Sequence, residues 1–137
     1  GLIEAYAGAN SSTASAHGIN VGTLDGSITN SGTIEARANA SSSGATAIGI
    51  YVENNTGSIT NDGNITVNTS ATFKTANAYG IRTDTVSSSG AITNSGDIKV
   101  TVAEQSEVLS QRISLEGIAP SLDVYAAGIY VDTLEVG

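Results

Sequence analysis

There is no cysteine in this 137-residue chain, which excludes disulfide staples, thiolate catalysis and cysteine-ligated metal. Tryptophan and methionine are also absent, proline occurs once, and five Tyr and one Phe are the only aromatic residues. An ordinary three-dimensional interior needs more bulk, so the composition leaves either a disordered chain or a thin, repetitive core. Positive charge is scarce too: 5 Lys and Arg stand against 13 Asp and Glu, a net charge of -8. Such a surface repels phosphates, which argues against nucleic acid or anionic lipid as a partner. No apolar run nears the roughly 18 residues of a membrane span, and no basic region precedes an apolar stretch at the start. The expectation is a segment that carries no signal and does not insert into a membrane by itself.

What the chain has instead is Gly at 16 positions, with Ser, Thr and Asn over about a third of its length. These residues are ordered in repeats. Gly26-Ser27-Ile28-Thr29-Asn30-Ser31-Gly32-Thr33-Ile34 returns as Gly57-Ser58-Ile59-Thr60-Asn61-Asp62-Gly63-Asn64-Ile65 and as Gly90-Ala91-Ile92-Thr93-Asn94-Ser95-Gly96-Asp97-Ile98. A second signature recurs at Gly18-Ile19-Asn20-Val21, Gly49-Ile50-Tyr51-Val52, Gly80-Ile81-Arg82-Thr83 and Gly128-Ile129-Tyr130-Val131. Gly18 to Gly49 and Gly49 to Gly80 each span 31 residues, while Gly80 to Gly128 spans 48. The excess is read as an insertion over 104–123.

Within a copy the apolar residues alternate, as Ile34, Ala36 and Ala38 do against Glu35 and Arg37, and a period of two is that of a strand. Each copy reads as three short strands, at about 26–30, 32–39 and 45–53 in the first full one, joined by Gly, Asn and Ser turns. A strand triplet repeating at a nearly fixed period is explained if each copy is one turn of a parallel β-helix. The expected fold is therefore all-β, a right-handed parallel β-solenoid of about four coils with a period of about 31 residues. Residues 1–137 are read as one such segment, cut from a longer solenoid because the pattern is open at both ends.

Stacking turns equivalent positions into ladders roughly 4.8 Å apart. Ile28, Ile59 and Ile92 form one, Ile50, Ile81 and Ile129 another, and Asn30, Asn61 and Asn94 a polar one whose amides hydrogen-bond up the stack. Branched residues tile such columns well. Gly32, Gly63 and Gly96 are expected to supply a positive φ at the turn, and Gly18, Gly49, Gly80 and Gly128 to relieve crowding at a bend.

The G-[SA]-I-T-N-x-G-x-I coils with A-x-G-I-x-V strands between them resemble the passenger regions of bacterial autotransporters, over the whole chain apart from the insertion. The resemblance implies an extracellular, adhesin-like segment of a Gram-negative cell surface, exported through an outer-membrane β-barrel. The missing cysteines agree with threading an unfolded chain through a narrow pore.

Three candidate sites emerge from the columns. Glu53, Asp84 and Asp132 align after the third strand, about 5 Å apart, as a solvated acidic edge, a Ca²⁺ site, or the carboxylate pair of a retaining glycosidase. Beside them Tyr51, Arg82 and Tyr130 align as an outward shelf, read as flank packing or as a sugar-binding surface; Tyr6 and Arg37 make a similar pair. In the insertion, Val108, Leu109, Ile113 and Leu115 lie on a short helix or hairpin that either covers the rod or forms a recognition loop. His17 shares a column with Ile48, Tyr79 and Ala127, too varied for a designed ligand, and no second histidine exists for a zinc site or a nucleophile triad.

The leading expectation is a non-enzymatic, cofactor-free stalk that presents loops to a host or neighbouring-cell surface protein or glycan, with Ca²⁺ at the acidic edge the alternative. A polysaccharide-acting β-helix enzyme and a homotypic aggregation module are the rival classes.

Overall fold

The structure is a computed structural model that describes residues 1–71, 74–103 and 122–136. Its elements, all strands, are β1 (Leu2–Ala9), β2 (Ala14–Leu24), β3 (Ser27–Asn30), β4 (Thr33–Ala40), β5 (Ala45–Asn55), β6 (Ser58–Asn61), β7 (Asn64–Ala71), β8 (Lys74–Val86), β9 (Ala91–Asn94), β10 (Asp97–Ala103) and β11 (Leu122–Leu134). They form three parallel sheets: A, ordered β1-β4-β7-β10; B, ordered β2-β5-β8-β11; and C, ordered β3-β6-β9. Sheets A and B take one strand from each of four successive coils and sheet C one from each of three, which is the architecture of a β-solenoid.

The register is the one that the repeats imply. Ile28 pairs with Ile59 and Ile59 with Ile92; Ile3, Ile34, Ile65 and Ile98 are aligned in sheet A; Ile19, Ile50, Ile81 and Ile129 are aligned in sheet B. The stack closes about three turns rather than four. The signature Gly18-Ile19-Asn20-Val21 lies in β2, whose coil contains β1 but no strand in sheet C. Counting that signature therefore counts one turn more than is closed.

The third strand of each coil is longer than a single flat strand should be, and it is folded. In β5 the paired register runs through Ala45–Ile48, Tyr51 with its neighbours Ile50 and Val52, and Asn54–Asn55, stepping over Gly49 and Glu53. Ala47 and Ile50 are both buried although they lie three positions apart, an offset that strict alternation puts on opposite faces, and the same holds for Val52 and Asn55. Alternation is thus reset at each bend, and the bends turn one long strand into successive facets of the coil.

The bends explain one glycine column. A Cβ on Gly49 would meet Cγ2 of Ile65 across the coil and lie 2.6 Å from the backbone oxygen of Gly80. Gly18 and Gly80 face Ile34 and Ile98 in the same way. The crowding foreseen at the bend comes from the isoleucine ladder of sheet A, which fills the space that a side chain would take.

At Gly32, Gly63 and Gly96 the sequence reading needs correction, because none of these residues has a φ in the left-handed range. A Cβ there would collide with the backbone of the coil before, at Gly1, Gly32 and Gly63 respectively. Close stacking, and not backbone handedness, demands glycine.

The core is a column of small and branched residues. Ile34, Ala36, Ala38, Ala47, Ile50, Val52, Ile59, Ile65, Val67, Ala78 and Ile81 are all buried, and at the terminal coils the same ladders open to solvent, with Ile3 42% and Ile129 45% exposed. The paucity of aromatic bulk is therefore consistent with an interior only a few side chains wide. The insertion begins outside the described residues, but its far boundary lies earlier than expected: Leu122 and Asp123 already pair with Lys74 and Thr75 as the start of β11. The proposed loop residues Val108, Leu109, Ile113 and Leu115 lie outside the described residues.

Candidate functional site

The polar ladder is built as the stacking argument requires. Asn30 Nδ2 donates to Asn61 Oδ1 at 2.6 Å, and Asn61 Nδ2 to Asn94 Oδ1 at 2.7 Å. The same amides tie their own turns, with Gly32 N–H donating to Asn30 Oδ1 and Asn61 Nδ2 donating to the Gly63 carbonyl. Asn61 is 0% exposed, so a carboxamide in an apolar stack is acceptable only because its donors and acceptor are met. Asn55, buried in the neighbouring corner, repeats the device: it accepts from Gly57 N–H at 3.1 Å and donates to the Ala91 carbonyl at 3.2 Å. The sequence signal was there, since Asn55-Thr56-Gly57 has the Asn-x-Gly spacing of Asn30-Ser31-Gly32. These asparagines are structural.

The outer face of sheet B gathers most of the chemistry. Tyr51, Arg82 and Tyr130 are register neighbours, and the Arg82 guanidinium carbon lies 5.7 Å from the Tyr51 ring centroid and 5.8 Å from that of Tyr130. It lies nearer still, 5.2 Å, to the ring of Tyr79. Tyr79 in turn packs against Tyr130 with centroids 5.3 Å apart, and His17 against Tyr51 at 5.8 Å. Distances of this order place the cation within the attractive range of all three rings.

Tyr79 was not foreseen as part of the shelf. Strict alternation puts positions 79 and 82 on opposite faces, and the bend at Gly80 puts them on the same one. The bend at Gly49 acts likewise on Ile48, which is only 2% exposed although its column faces outward, where His17 and Tyr79 stand on its two sides.

The carboxylates stand level, as expected. Register pairs on either side, Val52 with Thr83 and Val131 with Thr83, Asn54 with Thr85 and Thr133 with Thr85, bracket Glu53, Asp84 and Asp132. They do not converge into a metal site: among the described residues no three acidic or imidazole groups are placed to hold an ion. Asp84 is engaged sideways, accepting the Tyr51 hydroxyl at Oδ2 and lying 3.4 Å through Oδ1 from Arg82 Nε. Tyr130 donates to Asp132 at 3.3 Å, and Glu53 stays exposed.

Two titrations record this packing. Burial, helped by the nearby Arg82 charge, holds the His17 imidazole below its ordinary value, which favours the neutral ring. The hydrogen bond to Asp84, followed by burial, raises the Tyr51 phenol. On sheet A Tyr6 and Arg37 are register partners, as expected, and the Arg37 guanidinium pairs along its own strand with Glu35 at 2.8 Å. Thr29, Thr60 and Thr93 align on sheet C, on strands too short to make a broad hydroxyl array.

Comparisons of the chain with family models, with curated proteins and with solved structures each found no match.

Proposed function

We propose that this chain is a non-enzymatic structural and adhesive segment of a bacterial cell-surface protein of the autotransporter type, a stiff β-solenoid that holds binding surfaces away from the envelope. The single observation that carries the reading is the in-register stacking of the isoleucine ladder through the four strands of sheet A and of the asparagine ladder through the three strands of sheet C. Such a stack lengthens by repetition, and each coil contacts only its neighbours. Its partner is a protein or glycan on a host or neighbouring cell, and its place is outside the cell.

Beads coated with the purified chain, applied to epithelial and bacterial monolayers, test the proposal. Attachment several-fold above albumin-coated beads supports it, and equal attachment overturns the adhesive half. Atomic-force stretching tests the structural half: high, repeated unfolding forces are expected, and a chain that extends without force peaks would overturn it. The enzymatic alternative finds less support, because Asp84 is held by Tyr51 and Arg82; turnover of any glycan that Asp84→Asn abolishes would reinstate it.

A further inference from the structure

We propose that the two ends of the stack fit one another, so that a second copy of this chain docks head to tail, its β1 and β2 adding as the next rung beyond β10 and β11. The proposal goes beyond the adhesive reading and does not rest on it.

β1 and β2 end sheets A and B on one side of the stack, and β10 and β11 end them on the other. Among the described residues each of these four strands is paired along one edge only, so rows of backbone donors and acceptors stand open at both ends. Apolar side chains open with them, Ile3 at 42% and Ile129 at 45% exposure. Extending the observed register by one rung sets the second copy's Ile3 on Ile98 and its Ile19 on Ile129, and the ladders of both sheets run on. Sheet C has no strand in the first coil, so the junction is two sheets wide.

Charge and glycine placement select this occupant and this direction. Glu4, Glu35, Thr66 and Lys99 form one outward column of sheet A. Its two ends, Glu4 and Lys99, are exposed and have no ion-pair partner among the described residues. Head-to-tail stacking brings Glu4 of the second copy about 5 Å from Lys99 of the first, whereas two like ends bring only carboxylates or only ammonium groups of this column to the junction. Gly80 has to be glycine because Ile98 and the Gly128 carbonyl of the next coil take the place of a Cβ. Gly128 stands in the same column, yet a Cβ there would meet only Cγ2 of Ile98, at 3.8 Å, an ordinary contact. One rung further, Ile3 and Gly18 of a second copy fill the places that Ile98 and Gly128 fill for Gly80. Gly1 repeats the relation from the other end: Gly32, Gly63 and Gly96 face the backbone of the coil before, while nothing lies within 4 Å of a Cβ on Gly1, which stacking sets over Gly96. Both facing positions are thus clear for a neighbouring coil that one copy alone does not supply. Such a contact is heterologous and does not close, so it continues into a filament.

The test is sedimentation velocity of the purified chain from about 1 µM to about 1 mM, at about 0.15 M salt, where repulsion between copies of net charge -8 is screened beyond about 8 Å. Expected is a mass that climbs past the dimer as concentration rises. Glu4→Lys and Lys99→Glu should each weaken association about fivefold, and the two together in one chain should restore it. Gly128→Ala should unfold in urea at the parent's midpoint and stay monomeric over the same range. A parent that stays monomeric, a mass that stops at the dimer, a charge swap that fails to restore association, or a Gly128→Ala chain that assembles as the parent does each overturn the proposal. Because Glu4 and Lys99 are exposed, their variants keep the fold, and the charge swap decides the outcome if Gly128→Ala lowers the midpoint.

Discussion

The hydroxyl of Tyr51 donates to Oδ2 of Asp84 at 2.6 Å across 33 residues of sequence, linking two successive coils on the outside of sheet B. It also takes up the carboxylate at the centre of the acidic column, and it raises the Tyr51 phenol above its ordinary 10.0. A group that holds its proton more firmly when folded contributes stability that is present below pH 10 and is lost as pH rises through the folded value. Ultraviolet titration of the parent should show a phenol that ionises above the ordinary value, and Asp84→Asn should return it towards that value. A single unshifted phenol transition in the parent would contradict the contact.

His17 titrates with the opposite sign. Its folded value lies below 6.5, so the unfolded chain binds the proton more readily. Stability should be complete above that pH and decline as pH falls through the window beneath it, to the folded value. His17→Gln should flatten this acid limb, and Arg82→Gln should move the imidazole midpoint only part of the way back, because burial is the larger cause. Proton NMR of the His17 ring and urea unfolding against pH read both effects.

Two glycines of the same strand type, Gly49 in β5 and Gly22 in β2 at the level of Glu53, should respond very differently to alanine. At Gly49 the new Cβ has no room between Ile65 and the Gly80 carbonyl, and a loss of about 3 kcal/mol is expected. At Gly22 nothing lies within 4 Å and the φ is ordinary, so Gly22→Ala should change stability by no more than about 0.5 kcal/mol. Urea unfolding of the pair separates a packing requirement from a general preference for glycine.

Asn61→Ala should lose about 2 kcal/mol, since it leaves the Asn30 and Asn94 amides without their shared partner in a fully buried position. Asn94→Ala, at an exposed rung, should lose less than half as much. Equal effects in chemical denaturation would mean that burial does not set the strength of the ladder.

Thr83 lies 0% exposed in register with Val52 and Val131, and its hydroxyl has no hydrogen-bond partner. Thr83→Val keeps the shape and removes a buried, unmet polar group, so it should stabilise the chain by about 1 kcal/mol. A lower unfolding midpoint in urea would show that the hydroxyl is satisfied after all.

The coil architecture and its register were legible in the order of the residues, because stacking brings equivalent letters into contact and any mismatch would leave Ile or Asn opposite the wrong neighbour. The ladders Ile28–Ile59–Ile92 and Asn30–Asn61–Asn94 needed nothing but the period. The level placement of Glu53, Asp84 and Asp132 followed from the same period. Which side chains meet across a bend did not follow. Period-two counting cannot see that Gly49 and Gly80 reset the alternation, so it separates Tyr79 from Arg82, which the folded strand brings within 5.2 Å. Nor can it tell a glycine required by handedness from one required by closeness, because the atoms that forbid a side chain at Gly63 belong to Gly32 of the coil before. Contacts along the stack repeat with the sequence and can be counted from it; contacts across the coil and around its corners depend on where the backbone turns, and that is set only when all three sheets close on one core.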